Sequence, residues 1–298
     1  MNLEPGGADD LEQAEAVFTG VRPRLFGIAY RMLGSVTEAE DLVQEVWLRW
    51  QTCDRAAVVN PAAFLTTTAT RLAINVLESA RVRRETYVGP WLPEPVDTSA
   101  DPYLGAERGE DLRFATLLLM EKLTPNERAA YVLREAFDYP YAQIADVLRS
   151  TEPAVRQLVS RARKHMAGER RVPVSPAEQR ELLVTFVAAA RSGDMTALER
   201  LFTAQVTNLA DGNGRTRVAR RPVVGAVRVA KFLVAMSWFW DGVEVRWAST
   251  NGQTSAVLRR EGAVYGLLTV SATAEGIDQV LWMVNPAKIT GVPAPAAQ

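Results

Sequence analysis

Apolar residues recur every three to four positions through residues 14–166. Beyond residue 243 they give way to short runs rich in β-branched and aromatic residues, so the chain is predicted to be all-helical first and mixed later. A helix through AEAVFTGVRPRLFGIAYRMLG stops at Gly34, where a C-terminal glycine is expected. Thr37 and Glu40 have the spacing of a capping box for the helix EAEDLVQEVWLRW. That helix turns Leu42, Val43, Val46 and Leu48 toward neighbours, leaves Asp41, Gln44, Glu45 and Arg49 outside, and carries Trp47 and Trp50 near its end. Asn60-Pro61 opens a third helix, rich in threonine and basic at its end. Two more helices are broken at Leu123-Thr124-Pro125, with Phe114, Leu117, Leu118, Val132, Leu133 and Phe137 as their predicted core.

Residues 141–166 hold the sharpest pattern. Ile144, Ala145, Val147 and Leu148 share one face of a short helix, and Arg149-Ser150-Thr151 breaks it. Thr151 then caps, and Pro153 sits where a missing N–H is tolerated. The next helix buries Val155, Leu158, Val159 and Ala162 and leaves Arg156, Gln157, Ser160, Arg161, Arg163 and Lys164 outside. Two helices joined by a short turn, the second basic on its outer face, describe a helix-turn-helix whose second helix enters a major groove. The plainer alternative is a helical hairpin with a solvated basic face. From Arg149 to Arg171 there are seven Lys/Arg against two acids, which favours DNA.

The net charge of −1 hides a division. Residues 1–171 carry 21 Lys/Arg against 25 Asp/Glu, and residues 172–298 carry 13 against 10. A nucleic-acid binder of this composition concentrates its positive charge in patches and uses its acids elsewhere, such as on a protein partner. The single cysteine, Cys53, excludes an internal disulfide framework and fits a reducing cytoplasm. With no run of about 18 apolar residues and no signal peptide, no membrane association is expected.

AEDLVQEVWLRW, then PAAFLTTTATRLAINVL, then the helix-turn-helix, in this order and separation, resemble the extracytoplasmic-function class of bacterial sigma factors over about residues 11–170. The resemblance implies an all-α sigma-2 domain at 11–84 that meets core polymerase and the −10 element. It also implies a linker at 85–110 and an all-α sigma-4 domain at 111–171 that reads the −35 element. By the same resemblance Asp41, Gln44, Glu45 and Trp47 contact the β′ subunit of polymerase, β being the further core contact. Opening a duplex requires holding an unstacked strand on hydroxyl, aromatic or basic groups. Thr66, Thr67, Thr70, Arg71 and Asn75 lie on or near one helical side, with Arg81, Arg83 and Arg84 available for phosphates. Arg71 departs from the asparagine many relatives carry in a base-holding pocket. For the −35 element the residues are Arg156, Gln157, Ser160, Arg161, Arg163 and Lys164.

Four prolines and three glycines in residues 85–110 preclude a regular helix, yet Trp91 is out of place in a flexible spacer. WLPEP resembles the signature of a sigma-factor subgroup with a fused C-terminal domain. That subgroup carries two further motifs, matched imperfectly by Asp211-Gly212-Asn213-Gly214-Arg215 and Asn285-Pro286-Ala287-Lys288-Ile289. The expected interdomain contacts are therefore Trp91, Leu92 and Pro93 on the linker and Asp211, Gly212, Arg215, Asn285, Pro286 and Lys288 on the extension.

The extension, 173–298, reads as helices at 177–191, after Asp194 and over 225–240, followed by four strands, a curled antiparallel sheet. This resembles the SnoaL-like, NTF2-like α+β cone, which leaves room for an unknown small ligand. Trp238, Trp240, Trp247 and Trp282 could line such a cavity or simply fill the core. The extension has no histidine, the DGNG stretch around Asp211 reads as a tight turn, and no cofactor, metal or catalytic residue is expected. His165 and Cys53 read as passive. The reading is thus a promoter-specificity subunit of RNA polymerase, not an enzyme, acting on promoter DNA in the cytoplasm and controlled in cis by its C-terminal domain. The alternative is a ligand-binding or catalytic SnoaL-like domain tethered to a DNA-binding module.

Overall fold

The computed structural model describes residues 6–85, 87–99, 112–169, 172–215 and 218–292. They divide into two compact units: described residues within 6–82 and 119–168 form one, and those within 83–99, 112–118 and 169–292 the other.

The first unit is helical. α1 spans Gly6–Leu33, α2 Val36–Thr52 and α3 Pro61–Glu85. The cap of α2 is Ser35 rather than Thr37: its hydroxyl accepts the Glu38 N–H at 3.1 Å. Gly34 can take the left-handed conformation (φ +68°), so the chain turns at once and Ser35 is the first residue able to cap. Asn60 caps α3 as expected, accepting the Ala63 N–H at 3.1 Å. α4 (Phe114–Met120), whose residues through Leu118 belong to the second unit, leads to α5 (Pro125–Tyr131), which opens with the Thr124–Glu127 capping box and continues through a wider turn, Val132–Ala136. α6 (Tyr141–Leu148) ends at Arg149 in the left-handed conformation, and Thr151 caps α7 (Glu152–Glu169) through the Ala154 N–H. Behind this pair lies a buried arginine, Arg128, which donates to the Arg31 carbonyl at 3.0 Å and to Glu121 at 2.5 Å. Burial pulls its pKa down to about 9, which leaves it charged at neutral pH.

The second unit is α+β, with a sheet of six strands in the order β2-β1-β6-β5-β4-β3. Its helices are α8 (Pro176–Ser192), α9 (Met195–Leu201) and α10 (Ala226–Ala235). Its strands are β1 (Phe202–Asp211), β2 (Val223–Val224), β3 (Glu244–Thr250), β4 (Gln253–Arg260), β5 (Ala263–Thr273) and β6 (Gly276–Met283). Strand β1 escapes the sequence reading, and it pairs parallel to β6, so the sheet is mixed rather than antiparallel. FTAQVTNLAD alternates imperfectly and follows a capped helix without a break, which hides its period. The helix predicted over 225–240 ends at Ala235 and gives way to a tight turn at Ser237–Trp240. At Gly276 (φ +122°) a Cβ would lie 2.6 Å from the Leu201 carbonyl, so only glycine closes the β5–β6 hairpin here.

Strand alternation gives the sheet two buried faces. Val206, Ala210, Leu258, Leu268, Val280 and Trp282 face the helices, packing with Phe186, Leu198 and Leu233. Val257, Leu267, Leu281 and Met283 point the other way and pack with Leu92, Phe114, Ile289 and Val292. Phe114 and Leu118, predicted for the core beneath the helix-turn-helix, thus serve the sheet instead. An apolar second face needs a cover, and the linker together with the start of α4 supplies it.

Candidate functional site

Three sequence motifs far apart in the chain meet at one buried point. Asp211, the last residue of β1, is fully buried and accepts three hydrogen bonds: from the Tyr87 hydroxyl at 2.5 Å, the Leu92 N–H at 2.9 Å and the Lys288 ammonium at 2.8 Å. Lys288 also donates to the Leu92 carbonyl at 2.5 Å and stands 4.1 Å from the centre of the Trp91 ring, a cation–π contact. Asn285 donates to the Tyr87 hydroxyl at 2.8 Å and caps its own turn through the Ala287 N–H. Burial, and then the bond to Asp211, push the Tyr87 hydroxyl far above the ordinary tyrosine range. Asp211 lies on a strand end rather than in the predicted tight turn, which begins at Gly212 (Arg215 N–H to Gly212 carbonyl, 3.0 Å). Gly212 is a packing residue, since a Cβ there would meet Val218 at 2.8 Å. Leu92 and Pro93 are buried, Pro286 is exposed, and Arg215 donates to the Val284 carbonyl at 2.8 Å.

A second anchor was missed. Asn251 and Gly252 form the β3–β4 turn with φ of +53° and +68°, the pattern of a type I′ hairpin. The Asn251 side chain is fully buried: its Oδ1 accepts the Val96 N–H at 3.0 Å and its Nδ2 donates to the Leu112 carbonyl at 3.0 Å. The Asn-Gly pair signals a hairpin, but nothing in it signals a socket for a segment 155 residues away. Tyr87 was missed likewise, as one more polar aromatic in a proline-rich stretch.

On α2, Asp41, Gln44 and Glu45 are exposed and Trp47 is half-buried against Phe18. Leu48, predicted to pack inward, is 56% exposed, and Trp50 takes the core place by donating to the Ala14 carbonyl at 3.0 Å. Leu48 stands seven residues after Asp41, on the stripe shared with Gln44 and Glu45, so this face is acidic with an apolar end.

The residues proposed for the −10 element are placed unequally. Thr67 is half-buried and Asn75 exposed. Thr70 is fully buried and its hydroxyl bonds the Thr66 carbonyl at 2.9 Å, so it is a packing residue here rather than a free donor. Thr66 is buried too and meets the Tyr139 hydroxyl at 3.1 Å. Arg71 donates to the Val147 carbonyl at 2.8 Å and the Asp146 carbonyl at 2.9 Å, closing the C-terminal end of α6. The side chains of Arg81, Arg83 and Arg84 lie outside the described residues.

All six residues predicted to read DNA on α7 are exposed. Three are engaged with acids: Arg156 with Glu152 at 3.4 Å, Arg161 with Glu127 at 2.8 Å and Arg163 with Glu135 at 2.7 Å. Burial raises the Glu127 carboxyl, but Arg161 and Thr124 outweigh it and hold it below the ordinary range. The Arg156–Glu152 pair is exposed on both sides and contributes little stability, about 0–1 kcal/mol, whereas Glu127 is buried and Glu135 half-buried beneath their arginines.

Among the described residues no cluster of His, Cys, Asp or Glu could hold a metal ion, and no helix is long and apolar enough to cross a membrane. Trp240 is core, Trp247 packs at its edge, and Trp238 and Trp282 line a cavity on the helical side of the sheet. His165 is exposed, and Cys53 is half-buried with its Sγ 3.3 Å from the Trp50 carbonyl.

The family Sigma-70 region 2 matches residues 17–83, and Sigma-70, region 4 matches residues 113–166. Over 292 residues the chain is 37% identical to ECF RNA polymerase sigma factor SigJ of Mycobacterium tuberculosis, covering 93% of each. It is 29% identical over 282 residues to the probable ECF RNA polymerase sigma factor SigI of the same organism, covering 93% of this chain and 95% of the relative. The crystal structure of M. tuberculosis extracytoplasmic function sigma factor SigJ aligns with a TM-score of 0.75 at 33% identity, covering 93% of this chain and 99% of that one.

Proposed function

The chain belongs to the extracytoplasmic-function RNA polymerase sigma factors, and we propose that its C-terminal domain controls its promoter-directing activity in cis by holding the linker between the two sigma regions. The observation that carries this reading is the buried Asp211–Lys288 pair, whose hydrogen bonds to Tyr87 and Leu92 tie the linker to the extension. A sigma factor spans two promoter elements, so the path of its linker decides whether both can be reached at once. A tethered domain acts at roughly millimolar local concentration, which lets a modest contact dominate.

In this proposal Asp41, Gln44, Glu45 and Leu48 form the face that meets the β′ subunit of core polymerase, with β as the further core contact. Thr67 and Asn75 face the −10 strand, and α7 reads the −35 element. Arg71 joins the −10 surface only after leaving the end of α6, so promoter binding demands that α3 and α6 part. The catalytic alternative loses its candidate base: Asp211 is spent on three donors and alternates away from the cavity wall formed by Asn208 and Ala210.

Promoter-dependent transcription by core polymerase with the full-length protein tests the reading. Absence of holoenzyme and of a promoter-dependent transcript would sink the sigma assignment. For control in cis, Asp211→Ala should change transcript yield at equal folded concentration, and an unchanged yield with a loosened linker would leave the domain a passenger.

A further inference from the structure

The cavity on the helical side of the sheet gathers positive charge with no acid paired to it among the described residues. It measures about 390 Å³, inside the range of roughly 300–1,000 Å³ in which proteins hold small organic molecules. Among the described residues its wall contains two arginines, Arg215 and Arg260, and no aspartate or glutamate. Both guanidinium groups gather on one ring: Arg260 lies 4.7 Å and Arg215 5.4 Å from the centre of Tyr265. Neither pairs with an acid among the described residues; Arg260 donates to the Phe239 carbonyl at 2.7 Å and Arg215 to the Val284 carbonyl. The Arg260 Nε is buried and has no hydrogen-bond partner among the described residues.

Two like charges around one ring repel each other, and Arg260 is half-buried while Arg215 is exposed. Asn208 adds a further donor: it is fully buried in the same wall, its Oδ1 takes the Trp282 indole N–H at 2.8 Å, and its Nδ2 has no hydrogen-bond partner among the described residues. The remaining lining combines aromatic residues, Phe232, Phe239, Trp238 and Trp282, with aliphatic ones such as Val218 and Met236, and Trp238 is 41% exposed. Donors and positive charge with no carboxylate beside them among the described residues call for an anion, and aromatic faces call for a flat body.

We infer that this cavity binds a small planar aromatic carboxylate, its carboxylate taken by Arg260 and Arg215 and its ring stacked among the cavity aromatics. The inference is independent of control in cis and stands or falls on binding alone.

Titration calorimetry on the full-length protein tests it with three probes: 2-naphthoate, the neutral isostere 2-naphthamide, and the non-aromatic anion cyclohexanecarboxylate. Saturable one-to-one binding of 2-naphthoate, at least tenfold tighter than either other probe, is expected. Arg260→Gln and Arg215→Gln should each weaken 2-naphthoate at least fivefold while changing 2-naphthamide less than twofold. Arg215 is exposed, so its variant carries the test if the Arg260 variant fails to fold. The inference is overturned if no probe saturates, if the amide binds as tightly as the acid, or if the folded variants bind 2-naphthoate like the parent.

Discussion

Replacing Asp211 with alanine removes the acceptor of three hydrogen bonds and the counter-charge of a lysine whose side chain is 7% exposed. Breaking one partner of a buried ion pair costs about 3–5 kcal/mol, because the other charge stays behind unpaired. Here Lys288 keeps the Leu92 carbonyl and the Trp91 ring, which points to the lower end, about 3 kcal/mol and roughly a hundredfold in a local opening equilibrium. Lys288→Met should cost about 2–3 kcal/mol, since Asp211 would retain two of its three donors. The double variant should fall short of the summed losses by about 2 kcal/mol, the coupling expected of residues in one network. Hydrogen exchange read by mass spectrometry suits the question, because it follows the linker amides apart from the rest of the chain. The Leu92 amide, which donates to Asp211, should lose about a hundredfold of protection in Asp211→Ala. The Val96 amide, held by Asn251, should lose less. An unchanged Leu92 amide, or single-variant losses that simply add, would refute the clamp as an energetic unit.

Further outcomes follow from other contacts. Tyr87→Phe should weaken the linker by about 1.5–3 kcal/mol, the usual range for a hydrogen bond to a charged group. Because the folded Tyr87 pKa is raised, its contribution is complete below the unfolded tyrosine value near 10 and is lost as pH climbs toward the folded value. Linker exchange in the parent should therefore rise above the EX2 base-catalysed baseline beyond about pH 10, and in Tyr87→Phe it should not. Leu48→Ala should shift stability by less than about 0.5 kcal/mol, as befits an exposed site, yet weaken co-elution with core polymerase. On α7, Arg156→Ala should cost about 1–3 kcal/mol in −35 binding if it reads a base edge, whereas Lys164→Ala at a phosphate should lower the salt slope by about one. Equal affinity for both variants in a fluorescence-anisotropy titration would assign the reading to another face. Phe114→Ala should destabilise the α+β unit by about 3–5 kcal/mol, read as faster exchange in β4–β6 rather than in α5 and α6.

Local chemistry already determined much of this protein. Turn residues and apolar spacing located α2, α3 and the helix-turn-helix, because each is held by contacts three or four residues apart, and Asn60, Thr124, Thr151 and Asp194 cap where they were expected to. The exposed basic face of α7 was legible for the same reason. What tertiary structure alone decided is where long-range partners lie. The role of β1 depends on pairing with β6, about 70 residues away, and no local period announces a parallel neighbour. Leu48 and Phe114 have apolar side chains that fit any core, and only packing shows that one faces solvent while the other covers a sheet. Asp211 reads as a turn residue until Lys288 and Tyr87 arrive from 77 and 124 residues away. A carboxylate is costly to bury alone and tolerable only when its donors converge, and that convergence is a property of the fold, not of any segment.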